Sequence, residues 1–425
     1  MREDLLHFVW KYKKFDFLNL QTTDGEGLEI INIGIHNQNE SGPDFQQAQI
    51  VINNIKWAGN VEMHLNSSDW FAHQHQEDDN YNNVILHVVW NDDVEVYRKD
   101  QTKIPTLEIS NFISTEVIEN YRELLASKNY HFINCESFFG EFSDFTLQNW
   151  LERVYLEKLE EKSVLVNQLL NQNANHWDEV LFLLLARSFG LNVNGQAFFE
   201  IAQSIGYKNI QKLNDSAQIE ALFLGQANLL KDKKEDVYYQ NLQKEYTYLK
   251  TKFDLPNSFT QVAFFKLRPP NFPTIRLSQL AQVYTKHKNL FREVISAKST
   301  EEIYKLFDFS TSTYWETHYT FEKESKKSKK KINQKFIDLL VINTIVPIRF
   351  AYQKHKDVLK TDELLTFMRD LKREENTLVK KFNQLKNNLA KNALESQALI
   401  FLKKNYCDKN KCLDCQLGLQ FLERA

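Results

Sequence analysis

Turn-forming residues are scarce in this sequence, with 11 glycines and 7 prolines in 425 residues. A long all-β chain needs more of both, because tight turns rely on them. A largely helical chain with a few strands is expected instead. Cysteine is sparse too. Four in the whole chain argue against a disulfide-built scaffold and for a reducing, cytoplasmic setting. No run of about 18 apolar residues is evident, so neither a transmembrane helix nor a membrane partner is expected. The opening MREDLLHFVWKYKK is charged and amphipathic, without the apolar core or small-residue cleavage site of a secretory leader. An excess of charge of one sign is also lacking. Lys+Arg 53 against Asp+Glu 56 leaves a formal net charge of -3. That excludes a globally basic nucleic-acid coat and leaves room for a local basic groove.

Apolar and aromatic residues are plentiful, at 42% and 13%, and the length suits two or three domains with cores of their own. Leu5, Leu6, Phe8, Val9 and Tyr12 fall on one helical stripe. Strand signals follow in GLEIINIGIHN, AQIVINNIKWAGNVEMHLN and VILHVVWN, which are rich in β-branched and aromatic residues. Asn53-Asn54 reads as the turn of a hairpin. In the polar stretch after Asn66, Ser68 or Asp69 is placed to cap a short helix, with Trp70 a core aromatic beside it. LEIS near residue 109 is a further strand candidate. From about residue 145 the apolar period becomes helical. One such segment, HWDEVLFLLLARSFG, ends at Gly190, a candidate helix terminator.

The expected class is therefore α+β. A core ordered helix-strand-strand-strand-helix-strand occupies residues 1–125, and a helical domain follows over 126–322. A Lys-rich linker is expected at 323–335, then a helical C-terminal region, 336–425, carrying a cysteine cluster.

The chemistry gathers in the first third. Gly42-Pro43 marks a bend that delivers Asp44 at a strand entrance. In Glu62-Met63-His64, strand alternation sends Glu62 and His64 to one face. If the two strands pair through the Asn53-Asn54 turn, Asp44 lies near Glu62. Two carboxylates at that spacing suit magnesium or manganese. Such an ion can make a hydroxide nucleophile and stabilise charge on a phosphodiester. His64 would orient the water or offset charge.

The element order, with Pro43-Asp44 followed by Glu62-x-His64, resembles the PD-(D/E)XK, restriction-endonuclease-like superfamily. Glu3 matches the place where many such enzymes carry an extra acid. The resemblance implies metal-dependent nuclease activity and a nucleic-acid partner. It departs from the pattern at His64, where the superfamily has Lys, and a catalytically degenerate module that binds nucleic acid or protein is the alternative. Over nearly the whole chain, GPDF, VEMHLNSSDW, HQHQEDDNYNNVILHVVW, KLRPPNFPTIRLSQLA and the terminal Cys-x4-Cys-x2-Cys resemble the bacterial domain-of-unknown-function family numbered 2851.

Other groups compete for roles. His64, His73, His75 and an aspartate would suit zinc in a small-molecule hydrolase, although an exposed helix or loop is the plainer account of His73 and His75. His87, inside an apolar strand, reads as a satisfied core histidine. Cys407, Cys412 and Cys415 have metal-like spacing, and Cys135 is a candidate fourth ligand for zinc or an iron–sulfur cluster. Lys266, Arg268 and Arg276 around the Pro-rich loop are candidates for phosphate contact. The aromatics of YWETHYTF at 314–321 are expected in a core, with stacking on bases as the alternative.

Overall fold

The structure is a computed structural model that describes residues 2–37, 41–126 and 131–424. The chain divides into two compact units. Residues 1–150 join 402–425 in one, and residues 151–401 make the other. The expected break at 125 thus lies inside the first unit. The last 24 residues, expected with a helical C-terminal region, belong to the N-terminal unit as well.

The first unit is built on one mixed sheet. Its strands are β1 (Leu20–Gln21), β2 (Gly27–Asn32), β3 (Ile35–His36), β4 (Phe45–Ile52), β5 (Ile55–Asn66), β6 (Val84–Asn91) and β7 (Thr106–Glu108). The order across the sheet is β1-β2-β4-β5-β6-β7, with β3 also paired to β4. β2, β4 and β5 pair antiparallel, whereas β6 and β7 run parallel to β5. The β4–β5 connection is the expected two-residue turn. Asn53 and Asn54 both take positive φ, 49° and 64°, the left-handed pair that a right-twisted hairpin favours and asparagine tolerates. β6 is buried along VILHVV, as a strand covered on both faces should be.

Helix α1 (Glu3–Lys11) lays Leu5, Leu6, Phe8, Val9 and Trp10 into the main core with Val61, Met63, Leu86 and Val88. Tyr12, expected on that stripe, is the residue after the helix and is 40% exposed. The chain turns away there, so the 3.6-residue period no longer aims it inward. A smaller core of Trp70, Tyr81, Val84, Val96 and Ile104 also forms, fed by α2 (Asp69–Ala72). Ser68 does occupy the residue before α2, but its hydroxyl donates to Asp93 rather than capping.

The second unit is mainly helical. Gly190 ends the helix Trp177–Phe189, but the left-handed φ falls on Leu191, at 54°. Glycine is needed at 190 for closeness: a Cβ there would lie 2.4 Å from the Asn194 carbonyl oxygen. The helical stretch Gln334–His355 is long and apolar enough to cross a membrane, against the expectation of no such run. It is 72% buried over its apolar window, as a core helix would be. The Lys-rich segment is no free linker: Lys330 is buried and donates to the Trp315 and Glu316 carbonyls. Trp315 is fully buried, as expected of the aromatics there.

Candidate functional site

Asp44 and Glu62 meet because of register. Gly42, at φ 112°, makes the bend before Pro43 that only glycine adopts readily. Phe45 then pairs with Val61, which brings Asp44 opposite Glu62. The Asp44 N–H donates to Glu62 Oε2 at 3.1 Å, and the Met63 N–H donates to Asp44 Oδ2 at 3.0 Å. A bulge follows at Gln47, whose φ is 59°. It interrupts the ladder just beyond the carboxylates, and regular pairing resumes at Ala48–Gly59.

Imidazoles surround this pair. β5 presents His64 on the same face as Glu62, with His64 Nε2 3.6 Å from Glu62 Oε1. After α2, the chain brings His73 Nδ1 to 3.1 Å from His64 Nε2 and His75 Nε2 to 3.3 Å from Glu62 Oε1. Ligand nitrogens of His64, His73 and His75 lie within 4.8 Å of one another. The turn that delivers them is held firmly. Asp93 accepts from the Ser68 N–H and from the Ser67 and Ser68 hydroxyls, and Asp69 accepts from the Asn66 N–H. Tyr81 stacks on His75 with ring centroids 3.8 Å apart. Beneath, parallel pairing sets Glu62 beside His87, and His87 Nε2 lies 2.8 Å from His64 Nδ1. His64 therefore has both ring nitrogens engaged, one donating and one accepting in its neutral form.

The electrostatics separate the histidines. Burial, then the neighbouring imidazoles, pushes His64 down to about 2, and burial pushes His87 down to about 3. Both are neutral at physiological pH, so His64 does not supply the positive charge expected of it. For His7, burial alone would lower the pKa, but the facing Asp44 carboxylate and the charges of Glu3 and Glu62 outweigh burial and raise it. His7 Nε2 is 3.3 Å from Asp44 Oδ2. Desolvation and the Asp44 charge hold Glu62 well above the usual carboxylate range. Desolvation also raises Glu3, again with Asp44 adding.

The donor set fits a divalent transition metal. His7 Nε2 and His75 Nε2 are buried without a hydrogen bond of proper geometry, although each faces a carboxylate oxygen. Carboxylates repelling one another across buried space are the groups a cation would satisfy. Nitrogen beside oxygen favours manganese or zinc over magnesium.

A family model described as "Protein of unknown function (DUF2851)" matches residues 3–377. The chain belongs to this family. No curated protein and no solved structure matches it. The DUF2851 match spans Glu3, His7, Asp44, Glu62 and the histidine cluster and ends before Cys407.

The remaining candidates in the DUF2851 chain fall elsewhere. Lys266 and Arg268 are exposed in the second unit. Arg276, expected to face phosphate, is buried. It donates to Gln279 and Asn271 and packs over the Phe336 ring at 3.5 Å. Its helix begins at Pro273 and turns it inward, so it braces the Pro-rich loop. Of the residues that carry the site, His7 had not been singled out from sequence. Its signal was the one-turn spacing from Glu3 on α1, which puts both on one helix face. His87, read as a core histidine, is indeed buried but bonds directly to His64.

Proposed function

We propose that this protein is a metal-dependent phosphodiesterase of nuclease type, acting on nucleic acid through the site built on Asp44 and Glu62. The observation that carries the reading is the meeting of these two carboxylates where β4 and β5 pair, with three imidazoles closing around the same point. The strand arrangement supports it. An opening helix, an antiparallel β2-β4-β5 meander and a parallel β6 resemble the core order expected of PD-(D/E)XK nucleases, with Asp44 and Glu62 facing each other across β4 and β5.

Asp44, Glu62 and the nitrogens of His64, His73 and His75 would hold the ion. Such an ion supplies an activated water and charge stabilisation at the phosphate. The chain's own residues do the rest. His87 holds the tautomer and orientation of His64, as a buried partner of a ligating imidazole does. His7 faces Asp44 through Nε2, and Asp44 favours a proton there; a protonated His7 would favour an anionic substrate. Lys11 and Lys13 follow on the same helix and its end, adding local positive charge for a phosphate backbone.

The test is manganese-dependent cleavage of a mixed DNA and RNA panel, wild type beside Glu62→Ala. Cleavage that vanishes in the variant supports the reading. Binding without cleavage by wild type would sink it in favour of a degenerate binding module. The histidine triad favours one second reading, a zinc hydrolase of small molecules. Activity on small esters or amides, with none on polynucleotides, would select it.

A further inference from the structure

The site above leaves all four cysteines unused. Cys135 precedes the 3-10 turn Glu136–Glu141. Cys407 ends the π turn Lys403–Cys407, Cys412 opens the 3-10 turn Cys412–Asp414, and Cys415 immediately precedes the helix Gln416–Leu422. A π turn, a 3-10 turn and the start of a helix thus bend the C-terminal segment so that its three cysteines reach one cavity. All four line one small cavity, together with Leu124 and Asn134. None of the four is in a disulfide.

Burial favours the protonated thiols of Cys135, Cys407 and Cys415 in the metal-free chain, yet hydrogen-bond donors point at two of the four sulfurs. N–H groups of Leu417 and Gly418 donate to the Cys415 sulfur. Asn134 Nδ2 donates to Cys412 Sγ at 3.3 Å. Donors aimed at sulfur stabilise metal-bound thiolate and tune the metal it holds. Gly418 passes so near the Cys412 backbone that a Cβ would lie 2.0 Å from the Cys412 carbonyl oxygen. Only glycine permits the close turn that brings Cys412 and Cys415 together. Buried free thiols packing as small apolar groups would need neither the donors nor the convergence.

We propose that Cys135, Cys407, Cys412 and Cys415 form a tetrathiolate metal centre, taking a single zinc ion or an iron–sulfur cluster, that ties residues 402–425 to the N-terminal unit. Metal binding displaces the thiol protons, and its free energy becomes folding free energy for the segments it joins. The centre closes the long chain loop between Cys135 and Cys407, where a covalent tie removes the most freedom from the unfolded chain. It is separate from the proposed phosphodiesterase site and stands whether or not that reading holds.

The experiment is metal and acid-labile sulfide analysis of the full chain purified without oxygen. Wild type, Cys135→Ser, Cys412→Ser and Glu62→Gln are compared. The expected result is near-stoichiometric zinc without sulfide, or iron with matching sulfide and a visible absorption band. Either is retained by Glu62→Gln and lost by both cysteine variants, with a lower Tm. Metal retained in full by both cysteine variants would overturn the proposal, as would wild type with no such metal and four freely titrating thiols. If the variants fail to fold, X-ray absorption on wild type decides. Four sulfur ligands at about 2.3 Å for zinc, or an iron–sulfide signature, support the centre, and nitrogen–oxygen coordination alone overturns it.

Discussion

At the scale of single residues, the site is a balance of opposed charges around buried groups. Glu62 is raised toward about 9 by burial and by Asp44. A folded-state pKa above the unfolded value means that the folded chain keeps a proton that the unfolded chain releases. The contribution to stability is then full below the ordinary carboxylate pKa and is lost as pH rises to about 9. His64 and His87 act in the opposite direction. Their folded values, about 2 and about 3 against the ordinary histidine value of 6.5, mean that the unfolded chain takes up protons first as pH falls. We therefore expect the metal-free chain to lose stability on both sides of about pH 6.5. Glu62→Gln should flatten the alkaline side and His87→Gln the acid side, read by thermal unfolding across pH. Unchanged pH profiles in both variants would contradict the assigned environments. Glu62→Gln should also stabilise the metal-free chain at alkaline pH, by about 1 kcal/mol or ~2–4 °C in Tm, while abolishing cleavage. His87→Gln should lower metal affinity or turnover by roughly 10–100-fold, because it frees the tautomer and orientation of His64.

Among the elements, β5 matters most. It carries Glu62 and His64, pairs antiparallel with β4 and parallel with β6, and so brings Asp44 from one neighbour and His87 from the other to the same level. Its spacing from β6 depends on Gly59. A Cβ there would meet the Asn83 carbonyl oxygen and the Ile85 side chain at 2.5 Å. Gly59→Ala should cost about 1–3 kcal/mol and weaken manganese binding along with stability. Normal metal affinity alongside a lowered Tm would show that strand spacing and site geometry are uncoupled. The turns around β5 were readable from residue type, since Asn53-Asn54 and Gly42-Pro43 each name their backbone. The bulge at Gln47 was not, because no turn residue marks it and only pairing to β5 demands it.

For the whole molecule, the formal net charge of -3 limits how nucleic acid, the proposed substrate, would be held. Binding should depend on a local cluster near α1 rather than on a basic surface, so the salt dependence should be shallow, on the order of 2–4 released counterions. Lys11→Glu with Lys13→Glu should reduce that slope further. A steep slope unaffected by the pair would place the contact surface elsewhere. Arg276 belongs to the stability of the second unit instead. Its guanidinium is buried against Phe336 with neutral partners, so Arg276→Ala should destabilise the chain by about 2–4 kcal/mol without a specific loss of nucleic-acid affinity in the folded fraction. Selective loss of affinity at unchanged Tm would return Arg276 to phosphate contact.

Local pattern was enough for much of this protein. The helical stripe of α1, the asparagine hairpin, the buried run of β6, the helical second unit and the candidacy of Asp44 and Glu62 all follow from period and residue type. Each depends on neighbours a few positions away, which the sequence displays directly. Long-range pairing accounts for the rest. Parallel β5–β6 pairing turned a core histidine into the partner of His64, and a short helix after Ser68 folded His73 and His75 back over Glu62. The packing of α1 set His7 against Asp44, and the return of residues 402–425 gathered the cysteines. These contacts join residues far apart in the chain, where burial and register, rather than propensity, select the neighbours.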